Sequence, residues 1–353
     1  MINLIGLSKE LLIENLISLG EKPFRAKQIW AWIYGHGSKS FDDMTNISKT
    51  TREVLAKNFT ISRPEISKDL TSFDGTRKWL VKFSDGKEVE TVFIPEETRG
   101  TLCISSQVGC TLACKFCHTG TQTWVRNLEA GEIISQIMIA KDLLNDWDKN
   151  NRKLTNIVFM GMGEPFFNYD NVAKTVKILN DVEGLDMSAR KTTISTSGLV
   201  PEILRCATEL KTNLAISLHA TNDKLRTEIM AINKKYPLDE LMKACQSYNK
   251  LNPNQTITFE YVMLRNVNDK EEHAKELINL IKKYNLKAKI NLIPFNPWQG
   301  CEYTNSEQII ISNFQKILKA ANLVAPVRKT RGEDVMAACG QLKSESQRLK
   351  RQQ

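Results

Sequence analysis

The chain has 353 residues, 41% apolar and 25% charged, a balance that fits a soluble globular protein and excludes disordered and fibrous classes. No run of about 18 apolar residues occurs, so no membrane span is expected. Eight cysteines in a chain this long argue for a reducing cytoplasm rather than a secreted disulfide scaffold, and a net charge of +9 suits plain solubility or a polyanionic partner equally well.

The N-terminus, MINLIGLSKELLIENL, lacks the basic start and small-residue cleavage site of a signal peptide. Residues 1–60 read as a small helical module. Ser8 caps a helix over Lys9–Leu19 that Gly20 stops, Pro23 opens a second that ends at Gly35, and a third covers Ser48–Asn58. Arg25, Lys27, Lys49 and Lys57 make one face of this module a candidate for nucleic-acid contact, against the plainer reading of a solvated face over an aromatic core. Residues 61–95 switch to strand patterning. Lys78–Phe83 leads to Asp85-Gly86, a hairpin signal, and EVETVFIP (Glu88–Pro95) returns. Glu90 lies on this return strand, where the plainer reading is an exposed carboxylate.

From Thr101 onward strands and helices alternate, the pattern of parallel βαβ units. Strands are expected at Thr101–Ser106, Asn156–Gly161, Lys191–Thr196, Asn213–His219, Thr256–Met263, Lys289–Phe295 and Val324–Lys329. Helices are expected at Ala130–Trp147, Asn171–Asp181, Pro201–Leu210, Leu238–Tyr248, Glu271–Tyr284 and Ser306–Ala321. The count gives an α/β fold: a partial (β/α)6 barrel over residues 96–333 with one extra strand. The small helical domain and the antiparallel strand extension precede it, and a C-terminal segment, 334–353, carries Cys339 and a basic, frayed tail. In such barrels functional residues gather at the C-terminal ends of strands.

The stretch CISSQVGCTLACKFC begins within the first barrel strand, and its cysteine triplet follows that strand. Cys110, Cys114 and Cys117 stand in a C-x3-C-x2-C pattern, with Cys103 upstream. Three close thiolates suit an iron–sulfur cluster with one iron left open for a ligand. A structural zinc site is the rival, but the second cysteine knuckle it needs is missing. Further polar residues sit at other strand ends: Gly163 and Glu164 in MGMGEP, Ser195 in TISTSG, Ser217, Leu218 and His219 in AISLH, and Asn296 after LIPF. Each alone reads as an ordinary turn residue. Their repetition around one barrel favours a ligand site. Cys339 lies among small residues in VMAACGQL, which makes it accessible rather than packed.

The cysteine triplet resembles that of the radical S-adenosylmethionine superfamily. The motifs SSQVGCTLACKFCHTGTQ, MGMGEP, ISTSG, SLHA, IPFNPW and TRGEDVMAACGQL together make the chain similar, over nearly its whole length, to the bacterial dual-specificity RNA (adenine-C2) methyltransferases. That resemblance implies a [4Fe–4S] cluster on Cys110, Cys114 and Cys117. It also implies S-adenosylmethionine contacts from Gly163, Glu164, Ser195, Ser217, Leu218, His219 and Asn296. Cys339 would carry a methyl group, Cys103 would resolve a covalent RNA adduct by forming a disulfide, and Glu90 would accept a proton. Two molecules of S-adenosylmethionine are implied per turnover, one as methyl donor and one as radical source. Adenine C2 is not a nucleophile, so direct polar transfer has no driving force, whereas a thiolate can take the methyl first. The implied partners are 23S rRNA, tRNAs and an external electron donor of flavodoxin type, met by a cytoplasmic monomer without membrane attachment. The C8-methylating relatives share the triplet and the reactive cysteines, and residue chemistry alone leaves C2 against C8 open.

Overall fold

The computed structural model describes residues 1–344 and 346. Most of the expected basic tail lies outside the described residues. One nine-stranded sheet organises the chain. Its strands are β1 (Glu65–Thr71), β2 (Arg77–Lys82), β3 (Glu88–Pro95), β4 (Gly100–Cys103), β5 (Asn156–Phe159), β6 (Thr192–Thr196), β7 (Asn213–Ser217), β8 (Ile257–Met263) and β9 (Ala288–Pro294). Strands β4 to β9 pair in parallel in chain order. Strands β1 to β3 continue the sheet antiparallel from β4. The sheet stays open, with β9 at one edge and β1 at the other.

The helices follow the expected order, from α1 (Lys9–Ser18), α2 (Phe24–Trp30) and α3 (Lys49–Asn58) through α4 (Ala130–Leu144), α5 (Tyr169–Asn180) and α6 (Val200–Glu209). Then come α7 (Asp223–Ile229), α8 (Leu238–Leu251), α9 (Glu271–Lys283) and α10 (Gln308–Ala320). Periodicity explains their seating: α5 buries Val172, Ala173, Val176 and Leu179, one stripe at helical spacing. Strand β8 is buried at every position, as a parallel strand covered on both faces must be. The N-terminal module closes on itself where Ile2–Asn3 pairs with Phe59–Thr60. It packs against α4 so closely that a Cβ on Gly131 would stand 2.5 Å from the Ile5 carbonyl oxygen. Buried Arg63 also pairs with Asp142 of α4 at 2.8 Å.

Two expectations need correction. The strand at Val324–Lys329 is absent as a regular element. Val324 and Val327 make single parallel bridges to β9, and Pro326, which has no N–H, interrupts the ladder. The α4 helix stops at Leu144 because Asn145 turns left-handed, φ 50°. Strand β1 falls within the strand stretch expected over 61–95, whereas the short helix α7 lies in charged sequence whose periodicity does not announce it. Glu90 is buried, which removes the plainer reading of an exposed carboxylate.

Candidate functional site

The C-terminal ends of the parallel strands open on one cavity. Cys110, Cys114 and Cys117 line it together with Gly163, Glu164, Ser195, Ser217, His219, Asn296 and Cys339. Ten of the thirteen expected site residues therefore meet at one place, although they span more than two hundred positions of chain. Leu218 is buried beside the cavity and contributes backbone: its N–H donates to the Glu260 carbonyl, and its own carbonyl accepts from Arg226. Cys103 ends β4, next to the cavity, within electrostatic reach of Cys339. Glu90 does not line the cavity; it accepts the Lys343 N–H, four residues beyond Cys339, at 2.9 Å. All eight cysteines are free thiols.

The cysteine loop is shaped for bulk at its centre. Gly120 leaves no room for a side chain, since a Cβ there would stand 2.8 Å from the Cys114 carbonyl oxygen. Gly163, at φ +94°, packs so tightly on Gln107 that a Cβ would fall 2.5 Å from that residue's Cβ. The Leu112 N–H points at Cys110 Sγ at 3.4 Å. Burial pushes the Cys110 thiol up to about 12 and the Cys114 thiol well above its ordinary value. Such thiols ionise when a cation supplies the missing charge, as a coordinating metal does. Among the described residues no three His, Cys, Asp or Glu side chains close on a single ion. The three sulfurs instead share the lining of a wider space. A three-thiol donor set in a backbone cradle fits a cluster ligated by three cysteines.

The other polar groups are oriented from behind. His219 adopts φ 57°, and its Nδ1 accepts the Val262 N–H at 3.0 Å, which leaves the proton on Nε2. Burial lowers its pKa to about 3, so the ring is neutral. Glu164 accepts from the Ser197 N–H and hydroxyl, both at 2.8 Å, and from the Phe166 N–H at 3.1 Å. Arg226 is fully buried behind the exits of β6 and β7. Its guanidinium donates to the carbonyls of Ser197 at 2.6 Å, Ser217 at 3.1 Å and Leu218 at 3.1 Å, and to Asn233 at 2.9 Å.

Residues 330–344 form the opposite wall. Asn296 donates to the Cys339 carbonyl at 3.0 Å, and Gln341 donates to the Pro297 carbonyl at 2.8 Å. From the cysteine loop, the His118 N–H donates to the Gly340 carbonyl at 2.7 Å, and Thr119 donates to Leu342. His118 also stacks on Trp298, ring centroids 4.7 Å apart. Cys339 is thus pinned at the cavity mouth between the cysteine loop and the exit of β9. Although Cys339 is exposed at that mouth, desolvation by the surrounding walls raises its thiol pKa, and Arg328 opposes that rise.

Sequence reasoning missed Glu260, Arg328 and Arg226. Glu260, a carboxylate inside the otherwise apolar run ITFEYVM, was the visible signal: a buried strand charge needs a reason. Arg328 and Arg226 carried no such mark.

Residues 2–61 match the family model described as ribosomal RNA large subunit methyltransferase N-terminal domain, and residues 104–281 match the radical SAM superfamily. The chain is 53% identical to the dual-specificity RNA methyltransferase RlmN of Paramagnetospirillum magneticum, covering 98% of this chain and 76% of that protein. It is 53% identical to that of Rhodospirillum rubrum, covering 98% and 81%. A crystal structure of a radical SAM methyltransferase from Sphaerobacter thermophilus superposes with a TM-score of 0.91 at 40% identity, covering 97% of this chain and 99% of that one. Identity of this order over nearly the whole chain makes the protein a member of the dual-specificity RNA methyltransferase RlmN family within the radical SAM superfamily.

Proposed function

We propose that this radical SAM RNA methyltransferase places a methyl group on C2 of adenosine in 23S rRNA and in tRNAs, through a methyl group carried on Cys339. The observation that carries the reading is the convergence of Cys339 with the three-cysteine loop on one cavity from opposite ends of the chain. Cys110, Cys114 and Cys117 would hold a [4Fe–4S] cluster. With S-adenosylmethionine bound, that cluster supplies the one-electron chemistry that activates a methyl carbon.

The protein's own residues do the rest. Glu164, held by Ser197, offers a fixed carboxylate to an ammonium group. Neutral His219 offers an Nε2–H donor, and Ser195 and Ser217 offer hydroxyls at neighbouring strand ends. Gly163 permits close approach of backbone to a ligand. Cys339 takes the methyl as a thiolate, aided by the Arg328 charge. Once the carbon on Cys339 is joined to RNA, Glu90 accepts the C2 proton. Cys103, as a thiolate, then attacks the Cys339 sulfur; the sulfur–carbon bond breaks, the carbon keeps the electron pair and takes up a proton to become the methyl group, and the Cys103–Cys339 disulfide left behind needs two electrons from an outside reductant. The target adenine must be unpaired or flipped to reach Cys339.

The N-terminal module, residues 1–60, is read as an RNA-contacting domain, 61–95 as the strand extension, 96–333 as the barrel and 334–353 as the reactive segment. In the module Lys27 is engaged by Glu183 at 2.5 Å, which leaves exposed Lys49 and Lys57 of α3 as the better phosphate contacts. Among the described residues no helix is long and apolar enough to cross a membrane. A cytoplasmic monomer served by a flavodoxin-type electron donor completes the reading. An anaerobic assay with cluster-loaded protein, ribosomal RNA and tRNA, followed by mass spectrometry and NMR of the nucleosides, tests it. The expected product is 2-methyladenosine; 8-methyladenosine as the sole product would overturn the C2 assignment.

A further inference from the structure

Strand register places Lys78 of β2 and Glu90 of β3 on the same face of the hairpin. Leu80 stands opposite Glu90, and Lys78 opposite Val92, which makes Lys78 and Glu90 diagonal neighbours. Both are buried, and Lys78 Nζ lies 2.8 Å from Glu90 Oε1. Burying one of these charges without the other is costly, so the pair explains itself. It does not explain the next two contacts. Lys78 Nζ also donates to the Met336 carbonyl at 3.2 Å, and Glu90 Oε2 accepts the Lys343 N–H at 2.9 Å. Met336 precedes Cys339 by three residues and Lys343 follows it by four. The ion pair therefore grips the reactive segment on both sides of its thiol. Met336 is held at φ 51°, a conformation that a non-glycine residue keeps only under constraint.

We propose that Lys78 is a positioning residue for the proton-transfer step, holding the Glu90 carboxylate and the backbone around Cys339 in one register. The proposal rests on the reading of Glu90 as proton acceptor. In that step the C2–H bond breaks, its electron pair stays with the ring, and the proton passes to a Glu90 oxygen. Lys78 adds no covalent or redox event. A buried carboxylate must be ionised to accept a proton, and burial pushes Glu90 up while Lys78 opposes that rise. The other charged and titratable groups near the pair are Lys68 of β1, which acts on Glu90, and His118 of the cysteine loop, which Lys78 acts on.

The test uses the cluster-loaded full chain and an RNA substrate carrying hydrogen or deuterium at C2 of the target adenosine. Wild type, Lys78→Met, Lys78→Arg and Glu90→Gln are compared in single turnovers across pH. For Lys78→Met we expect methylation slowed by up to ~10²-fold, as a misplaced base produces, with a larger deuterium isotope effect. The acid limb of its pH profile should move to higher pH, because loss of the ammonium raises the Glu90 pKa. Lys78→Arg should restore most of the rate, and iron content should not change. Equal slowing of both isotopologues with an unmoved acid limb would reduce Lys78 to a structural role and overturn the proposal. Glu90→Gln separates the two readings. If it turns over normally without an added isotope effect, the proton-acceptor reading fails and the proposal falls with it. If it shows the isotope effect and Lys78→Met does not, only the Lys78 proposal fails. Should Lys78→Met not fold, Lys78→Gln is read by the same criteria.

Discussion

The two walls of the cavity are built by different means. The barrel wall consists of parallel strand ends whose spacing is set by backbone ladders, with Arg226 tying the exits of β6 and β7 from behind. The opposite wall, residues 330–344, contains only one short 3-10 turn, Glu333–Val335. It is located by individual contacts from the β1–β2 turn, the Lys78–Glu90 pair, the cysteine loop and Asn296. A wall made of ladders averages over many bonds and tolerates the loss of one. A wall made of single contacts shifts when one is removed. That would suit the role proposed for Cys339, which joins RNA covalently and then lets it go.

The contrast is sharpest at the cysteines. Cys110→Ala should abolish both iron binding and methyl transfer, read by iron analysis and nucleoside analysis. Cys339→Ala should abolish methyl transfer while keeping the iron. Cys103→Ala should leave RNA covalently attached to Cys339, seen as a nuclease-sensitive shift on a denaturing gel; normal turnover in this variant would remove Cys103 from the mechanism. On the barrel wall, Arg226→Met strands several buried carbonyls. A loss of about 3–5 kcal/mol is expected in urea unfolding, together with weaker S-adenosylmethionine binding.

The opposite wall should respond more gently. Burial acts to raise the Asp74 carboxyl, but hydrogen bonds from Thr76, Gly332 and Ser72 outweigh it and hold the group at about 2. Its folded pKa lies below the unfolded value of about 4. The stabilisation is therefore complete above about pH 4 and disappears as pH falls through about 2. Asp74→Asn should cost about 1 kcal/mol at neutral pH, nothing near pH 2, and should lower the methylation rate more than the unfolding midpoint suggests. Equal effects on rate and stability would argue that this contact does not locate the Cys339 segment.

Most of the fold was legible because the barrel repeats a simple pattern. Alternating apolar strands and amphipathic helices announced β4 to β9 within a few residues of their ends. The misses share a cause. Val324–Lys329 carries strand composition, but Pro326 removes a ladder donor. Helix α7 lies in charged sequence, so no apolar period marks it. Glu90 reads as a surface carboxylate in EVETVFIP, and only the buried Lys78 beside it and the Lys343 N–H explain why it lies inside.

By itself the sequence determined the chemistry that could be assembled: three cysteines spaced for a cluster, polar residues at successive strand ends, and a lone cysteine among alanines. Spacing is local, and local chain geometry dictates which of these side chains can act together. The tertiary structure alone decided that Cys339, more than two hundred residues from the three-cysteine loop, lines the same cavity, that Arg328 and Glu260 supply its charge environment, and that Lys78 holds the backbone beside it. Those contacts depend on how the sheet opens and on where an irregular segment docks. Long-range packing sets both, and no period in the sequence records it.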